Sequence, residues 1–189
     1  MQNRDYKKES LTTIIVLAQN NDVKAIETLI RREQKHIYAI FAHLTDKKED
    51  VSDLTQETLV KMAKNLKSLK EPLKFRPWLN RIISNVFYDY TYTKKYKNIV
   101  DIDENKLNEI SDNVNCEPAE KCIFTEIENL IKNALMTLPQ ALRLSIVLRE
   151  YEGLSYEDIS KVTNTTIGTV KSRISRARLK LKEALSDFL

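Results

Sequence analysis

The residues whose chemistry is easiest to read are cationic. From Lys171 to Lys182 the chain carries Lys171, Arg173, Arg176, Arg178, Lys180 and Lys182 with no acid among them. Such groups neutralise phosphates, and an arginine fork matches the edge of guanine. A second cluster joins Lys74, Arg76, Arg81, Lys94, Lys95 and Lys97 to Asn80, Asn85, Tyr88 and Tyr92. Cations for a backbone, interleaved with amides and planar rings for bases or sugars, are what an unstacked single strand needs. Covalent chemistry has less support. His36 and His43, seven residues apart, fall on one helix face, but no nucleophile or carboxylate pair stands beside them. They read as polar helix-surface groups rather than as an acid and a base. Cys116 and Cys122 have neither zinc-ligand spacing nor the density of a disulfide scaffold, and read as reduced thiols. No catalytic residue, metal or cofactor is expected.

These groups must be carried by helices. The chain has two glycines and four prolines in 189 residues, against roughly 13 and 9 in ordinary usage. With only Gly153 and Gly168 available, neither a phosphate-cradling loop nor a dinucleotide fingerprint can be written. The most apolar run, Leu11 to Ala18, is far shorter than the roughly 20 residues that cross a bilayer. Asp5 and Glu9 flank it, and its pattern continues into a helix carrying Ile26, Leu29 and Ile30. It reads as an amphipathic first helix, not a signal peptide or a membrane insertion.

The net charge of +4 conceals a segmentation. Lys61 to Asn98 holds 10 basic residues and 2 acidic ones, Ile99 to Met136 holds 3 and 9, and Thr137 to Leu189 holds 9 and 6. Two basic blocks therefore flank an acidic one. Val100 to Glu120, rich in Asp, Asn, Glu and Ser, has the composition of a solvated linker. The expected architecture is all-α: two small helical domains, residues 1–98 and 121–189, joined by a flexible acidic linker at 99–120, the C-terminal domain being a helix-turn-helix.

That last element can be read in detail. After Pro139, the residues Leu142, Ile146, Val147 and Tyr151 recur at helical spacing until Gly153 ends the run. Ser155, with Asp158 three positions on, caps a short helix from Tyr156 to Val162 with Ile159 and Val162 on its inner face. Asn164 suits a left-handed turn, and Thr165 or Thr166 can cap a third helix over Ile167 to Leu185. Ile167, Val170, Ile174, Ala177 and Leu181 form its apolar stripe. At about 100° per residue, Thr169, Ser172 and Arg176 lie opposite Ile174 and Arg173 adjoins them. Together with Lys171, these are the candidate contacts to a major groove.

GLSYEDIS followed by IGTVKSRISRARLKLKEAL resembles the promoter-binding C-terminal domain of bacterial sigma factors, above all the small extracytoplasmic-function group. The likeness runs from about Leu11 to Asn98 and from about Pro118 to Leu185. The turn departs from it, since Asn164 stands where the family usually has glycine. DLTQETLVKMAKNL, Asp53 to Leu66, looks like the family's polymerase-docking helix, which implies contacts from Asp53, Thr55, Gln56 and Glu57 to the clamp helices of core RNA polymerase. FRPWLNRIISNVFYDYTYTKKYK, Phe75 to Lys97, resembles the promoter-melting helix, with Phe75, Trp78, Leu79, Ile82 and Ile83 as its core stripe. The resemblance assigns the opened minus-ten element to Lys74, Arg76, Asn80, Arg81, Asn85, Tyr88, Lys94 and Lys95, with a flipped base in the loop Ser68 to Lys74. Where the family commonly has arginines after the position of Asp89, this chain has YTYT before Lys94, so the upstream duplex contacts between Tyr90 and Lys97 stay open.

The resemblance thus implies a cytoplasmic sigma factor with no enzymatic activity. Its partners would be core RNA polymerase, promoter DNA and an anti-sigma factor, in this family often membrane-bound. Such factors usually bind promoters poorly alone. Three other readings stay open at this point: a stand-alone helix-turn-helix repressor on palindromic operators, a helical enzyme using the histidines, and an adaptor that binds protein alone.

Overall fold

The computed structural model describes the backbone of residues 5–100 and 119–186, and the side chains of 5–94 and 126–186. All regular structure among them is helical. The helices are α1 (Leu11–Gln19), α2 (Val23–Leu44), α3 (Lys48–Asn65), α4 (Phe75–Val100), α5 (Ala119–Met136), α6 (Gln140–Glu150), α7 (Tyr156–Thr163) and α8 (Ile167–Leu185). Two short 3-10 turns, Leu66–Ser68 and Pro72–Lys74, lie between α3 and α4. Cys116 and the side chains of Cys122, Lys95 and Lys97 lie outside the described residues, as does most of the expected linker.

The expected first helix is two. Asn21 adopts a positive φ of 65°, a conformation open to asparagine at less cost than to most residues. Asp22 then accepts a hydrogen bond from the Ala25 amide at 3.1 Å and caps α2. The apolar periodicity runs across this break because both helices bury their stripes in the same core: Ile14, Ile15 and Ala18 from α1, and Ala25, Leu29, Ile37 and Phe41 from α2. A periodic pattern thus marks which face is buried, not whether the helix is continuous.

Helices α2, α3 and α4 pack around Phe41, Leu44, Val51, Leu54, Met62, Phe75, Leu79, Ile83 and Phe87, all buried. Trp78 and Ile82, expected in the same stripe, lie only partly buried at its edge. The C-terminal core is Leu142, Ile146, Val147, Ile159, Val162, Val170, Ile174 and Ala177. Tyr151 falls outside it and is half exposed.

The two halves touch, α6 against α2 and α7 against α4. The Arg143 guanidinium donates to the carbonyls of Leu44, Met136 and Leu138 at 2.8, 2.7 and 3.0 Å, tying α6 both to the end of α2 and to the turn before itself. The His43 ring lies 3.8 Å, centroid to centroid, from that of Tyr151. Its buried Nδ1 has no hydrogen-bond partner among the described residues.

Burial holds the His43 pKa below its ordinary value; the charge of Lys132 lowers it further and Glu128 opposes. An imidazole depressed in the fold takes up protons less readily than in the unfolded chain, so its contribution is complete above the unfolded pKa of about 6.5 and declines as the pH falls below it. The thermal unfolding midpoint should therefore fall between about pH 7.5 and 5.5, and His43→Gln should shrink that fall. An unchanged pH profile in the variant would contradict this assignment.

Candidate nucleic-acid interface

Local hydrogen bonds build the C-terminal site. Ser155 Oγ accepts from the Asp158 amide at 3.0 Å and starts α7. Asn164, at φ 50° and ψ 48°, ends it in the left-handed conformation. Thr166 Oγ1 accepts from the Thr169 amide at 3.2 Å and starts α8. Helix, left-handed turn and capped second helix therefore follow within a few residues, with asparagine serving in place of glycine.

Once Val170, Ile174 and Ala177 are buried, the rest of α8 is set. Lys171, Arg176, Lys180 and Lys182 are exposed, and Thr169 and Ser172 are half exposed. Arg176 donates to Ser172 Oγ at 3.2 Å, and Ser172 donates to the Thr169 carbonyl at 2.9 Å, so three expected contacts form one connected row. Arg178 is paired with Glu150 at 2.7 Å. Arg173 departs from expectation. It turns toward Tyr88 of α4, and its Nη1 is buried without a hydrogen-bond partner among the described residues. Facing it is Tyr88, whose phenol burial pushes up in pKa while the Arg173 charge pulls the other way.

On α4 and at Lys74 just before it, the expected contacts divide into three groups. Arg81, Asn85 and Tyr92 are exposed on the outer face. Arg76, Lys74 and Lys94 already have acidic neighbours. Arg76 Nη1 donates to Glu33 at 2.5 Å, and that carboxylate is 1 % exposed; Lys74 pairs with Glu71 at 2.8 Å; Lys94 lies 3.6 Å from Asp50 and donates to Tyr90 Oη at 2.8 Å. Asn80 belongs to neither group. Only 1 % exposed, it donates from Nδ2 to Glu152 at 2.9 Å, so in this arrangement it is not available to a base.

The loop before α4 is pinned from a distance. Gln19, at the end of α1, donates its amide to the carbonyls of Leu66 and Leu69 at 3.0 and 2.7 Å. Leu73 projects from the same loop almost fully exposed. On α3, Asp53, Gln56 and Glu57 face outward as expected. Thr55 does not: it is 3 % exposed and its hydroxyl donates to the Val51 carbonyl at 2.6 Å, because helical spacing turns it inward with Val51 and Thr58. Val60, half exposed on that outer face, escaped the sequence reading. Its signal was an apolar residue one turn beyond Gln56 and outside the buried stripe.

Two family models match the chain: sigma-70 region 2 over residues 29–95 and sigma-70 region 4 over residues 128–181. The ECF RNA polymerase sigma-E factor of Escherichia coli K12 is 32% identical over 182 residues, covering 90% of this chain and 92% of that protein. The chain belongs to the sigma-70 family, in its extracytoplasmic-function (ECF) group. The sigma-E factor of Haemophilus influenzae is 28% identical over 191 residues, covering 96% of this chain and 99% of its own. Among solved structures, the sigma factor RpoE of Bartonella quintana, in complex with the anti-sigma factor NepR, aligns with a TM-score of 0.68 at 27% identity. The alignment covers 86% of this chain and 98% of that one. The matched segments cover α7 and most of α4 and α8, the two helices that carry the cationic clusters.

The pairing of Arg76 with buried Glu33 separates structural from surface cations. Removing Arg76 leaves a carboxylate buried without its charged partner, and such losses cost on the order of 1–3 kcal/mol. Arg76→Ala should therefore lower the thermal midpoint of the ECF chain, whereas Arg81→Ala on the exposed face should leave it within about 0.5 kcal/mol of the parent. Equal midpoints would remove the structural role given to Arg76.

Proposed function

We propose that the chain is a sigma factor that binds core RNA polymerase and directs it to particular promoters. The observation that carries this reading is α8: a capped second helix of a helix-turn-helix, holding Thr169, Lys171, Ser172 and Arg176 on the face away from its own core. This is the geometry with which a recognition helix meets base edges in a major groove. In this role α8 reads the minus-thirty-five element as duplex. Arg173 joins the row once it leaves α4. Residues 1–98 form the domain that docks on polymerase through Asp53, Gln56 and Glu57, with Val60 beside them. The same domain captures the opened minus-ten strand along α4, using Arg81, Asn85, Tyr88, Lys94 and Lys95, with Asn80 once Glu152 releases it. Residues 99–120 link it to the domain at 121–189. Thr55 supports the docking helix from inside.

No covalent step is assigned to the chain; polymerase supplies the chemistry. No helix among the described residues is long and apolar enough to cross a membrane, and the proposed site of action is the cytoplasm, beside the polymerase. An anti-sigma factor is the proposed regulator, by analogy with the Bartonella structure.

Run-off transcription with core polymerase and genomic promoter fragments tests the reading. Specific transcripts should appear only when the chain is added. None, together with polymerase-free binding to two symmetric half-sites, would instead identify a stand-alone repressor. Within the sigma reading, Arg176→Ala should weaken binding by ~1–3 kcal/mol and relax preference at one base pair, whereas Lys94→Ala should weaken all sequences alike and reduce the salt dependence. Unchanged base preference in Arg176→Ala would overturn its reading role.

A further inference from the structure

Glu152 lies in the turn after α6, next to Gly153, whose φ of 64° lets the chain reverse there. The carboxylate is buried, with its side chain 5% exposed, and it accepts hydrogen bonds from His36 on α2 at 3.2 Å and from Asn80 on α4 at 2.9 Å. Burial alone would raise the Glu152 pKa, but the bonds from His36 and Asn80, with the charges of His36 and Arg76, outweigh it and hold the group below its ordinary value. The group is therefore an anion received by donors from the other half of the chain. Around it, Arg143 reaches the Leu44 carbonyl, His43 stacks on Tyr151, and Tyr88 faces Arg173.

Two features separate this interface from a permanent core. It occupies groups that the proposed function needs elsewhere: Asn80 and Tyr88 for the opened strand, and Arg173 for the duplex. It also leaves polar atoms unmet, since Asn80 Oδ1 and Arg173 Nη1 are buried with no hydrogen-bond partner among the described residues. Each forfeits its hydration without compensation, as Thr58 Oγ1 and Ser84 Oγ do within the N-terminal half; at the interface, separation of the two halves would return Asn80 Oδ1 and Arg173 Nη1 to water.

We propose that Glu152 is an internal latch: its carboxylate takes, on α4, the place of nucleic acid, holds the helix-turn-helix against that helix, and withholds Asn80, Tyr88 and Arg173 from DNA until the two halves separate. The proposal rests on the reading of α4 and α8 as DNA-binding helices. Release requires exchange of one set of donors and acceptors for another and no covalent change. Polymerase, by holding the two halves apart, would open the latch.

The test uses the full chain in four forms: parent, His36→Ala, Glu152→Ala, and Glu157→Ala as a control that removes an exposed acid of α7. Circular dichroism first establishes that each is folded. Small-angle scattering should give a larger radius of gyration for Glu152→Ala, an intermediate one for His36→Ala, and the parental value for Glu157→Ala. Binding to a fluorescein-labelled, AT-rich single strand without polymerase should tighten in the same order, by up to about tenfold if roughly a tenth of the parent is open. Run-off transcription with saturating core polymerase should be the same for all four. If Glu152→Ala keeps the parental radius, or binds the strand no better than Glu157→Ala, there is no latch. Should Glu152→Ala fail to fold, His36→Ala alone decides, by the same two readouts. Failure of the parent in run-off transcription would instead remove the sigma reading, which separates the two ideas.

Discussion

A helix can bury one stripe, and α4 has to satisfy claims on more than one side. Phe75, Leu79, Ile83 and Phe87 are almost wholly buried in the core that α2 and α3 share, which fixes the rotation of the helix about its axis. Every other residue of α4 inherits its direction from that choice. Arg81 and Asn85 go to solvent, Arg76 to Glu33, and Asn80 and Tyr88 toward the C-terminal half. The loop before α4 is held by the Gln19 amide from α1, so the start of the helix is fixed as well as its rotation. What α4 presents to solvent and to the rest of the chain thus follows from where four apolar side chains must go.

The second half obeys the same logic with shorter parts. Val170, Ile174 and Ala177 anchor α8, and the caps at Ser155 and Thr166 set where α7 and α8 begin. The left-handed Asn164 sets the angle between them without a glycine. Capping bonds are local and apolar burial is not, yet here both specify one arrangement, as expected of a sequence whose local and global preferences agree.

That agreement explains which parts were legible in the sequence. The bounds of α8, its cap, that of α7 and the left-handed turn depend on residues within a few positions of one another, and the sequence alone placed them; of the expected α4 stripe, Phe75, Leu79 and Ile83 are buried while Trp78 and Ile82 lie at its edge. The break at Asn21 was missed because one stripe continues across it, and periodicity reports burial rather than continuity. Thr55 was misplaced by the family resemblance, although helical spacing from Val51 and Thr58 points it inward. Asn80 was assigned to the opened strand, and Arg173 to the flank adjoining the outer row of α8. What turns them inward is the other half of the chain, through partners such as Glu152, 72 residues from Asn80. Contacts between remote segments leave no periodic trace, so Glu152, Arg143 and His36 could not be found by reading along the chain.

The contact at Glu152 has a quantitative side that distances do not convey. The two halves belong to one chain, joined through the residues between Val100 and Ala119. A latch attached in this way would act at an effective concentration set by its tether rather than by the amount of protein. Dilution does not weaken it, nor does raising the amount of protein strengthen it. A contact far too weak to hold two separate molecules can therefore still outcompete scarce, non-specific DNA. The proposed exclusion would therefore be indifferent to how many copies of the chain a cell contains.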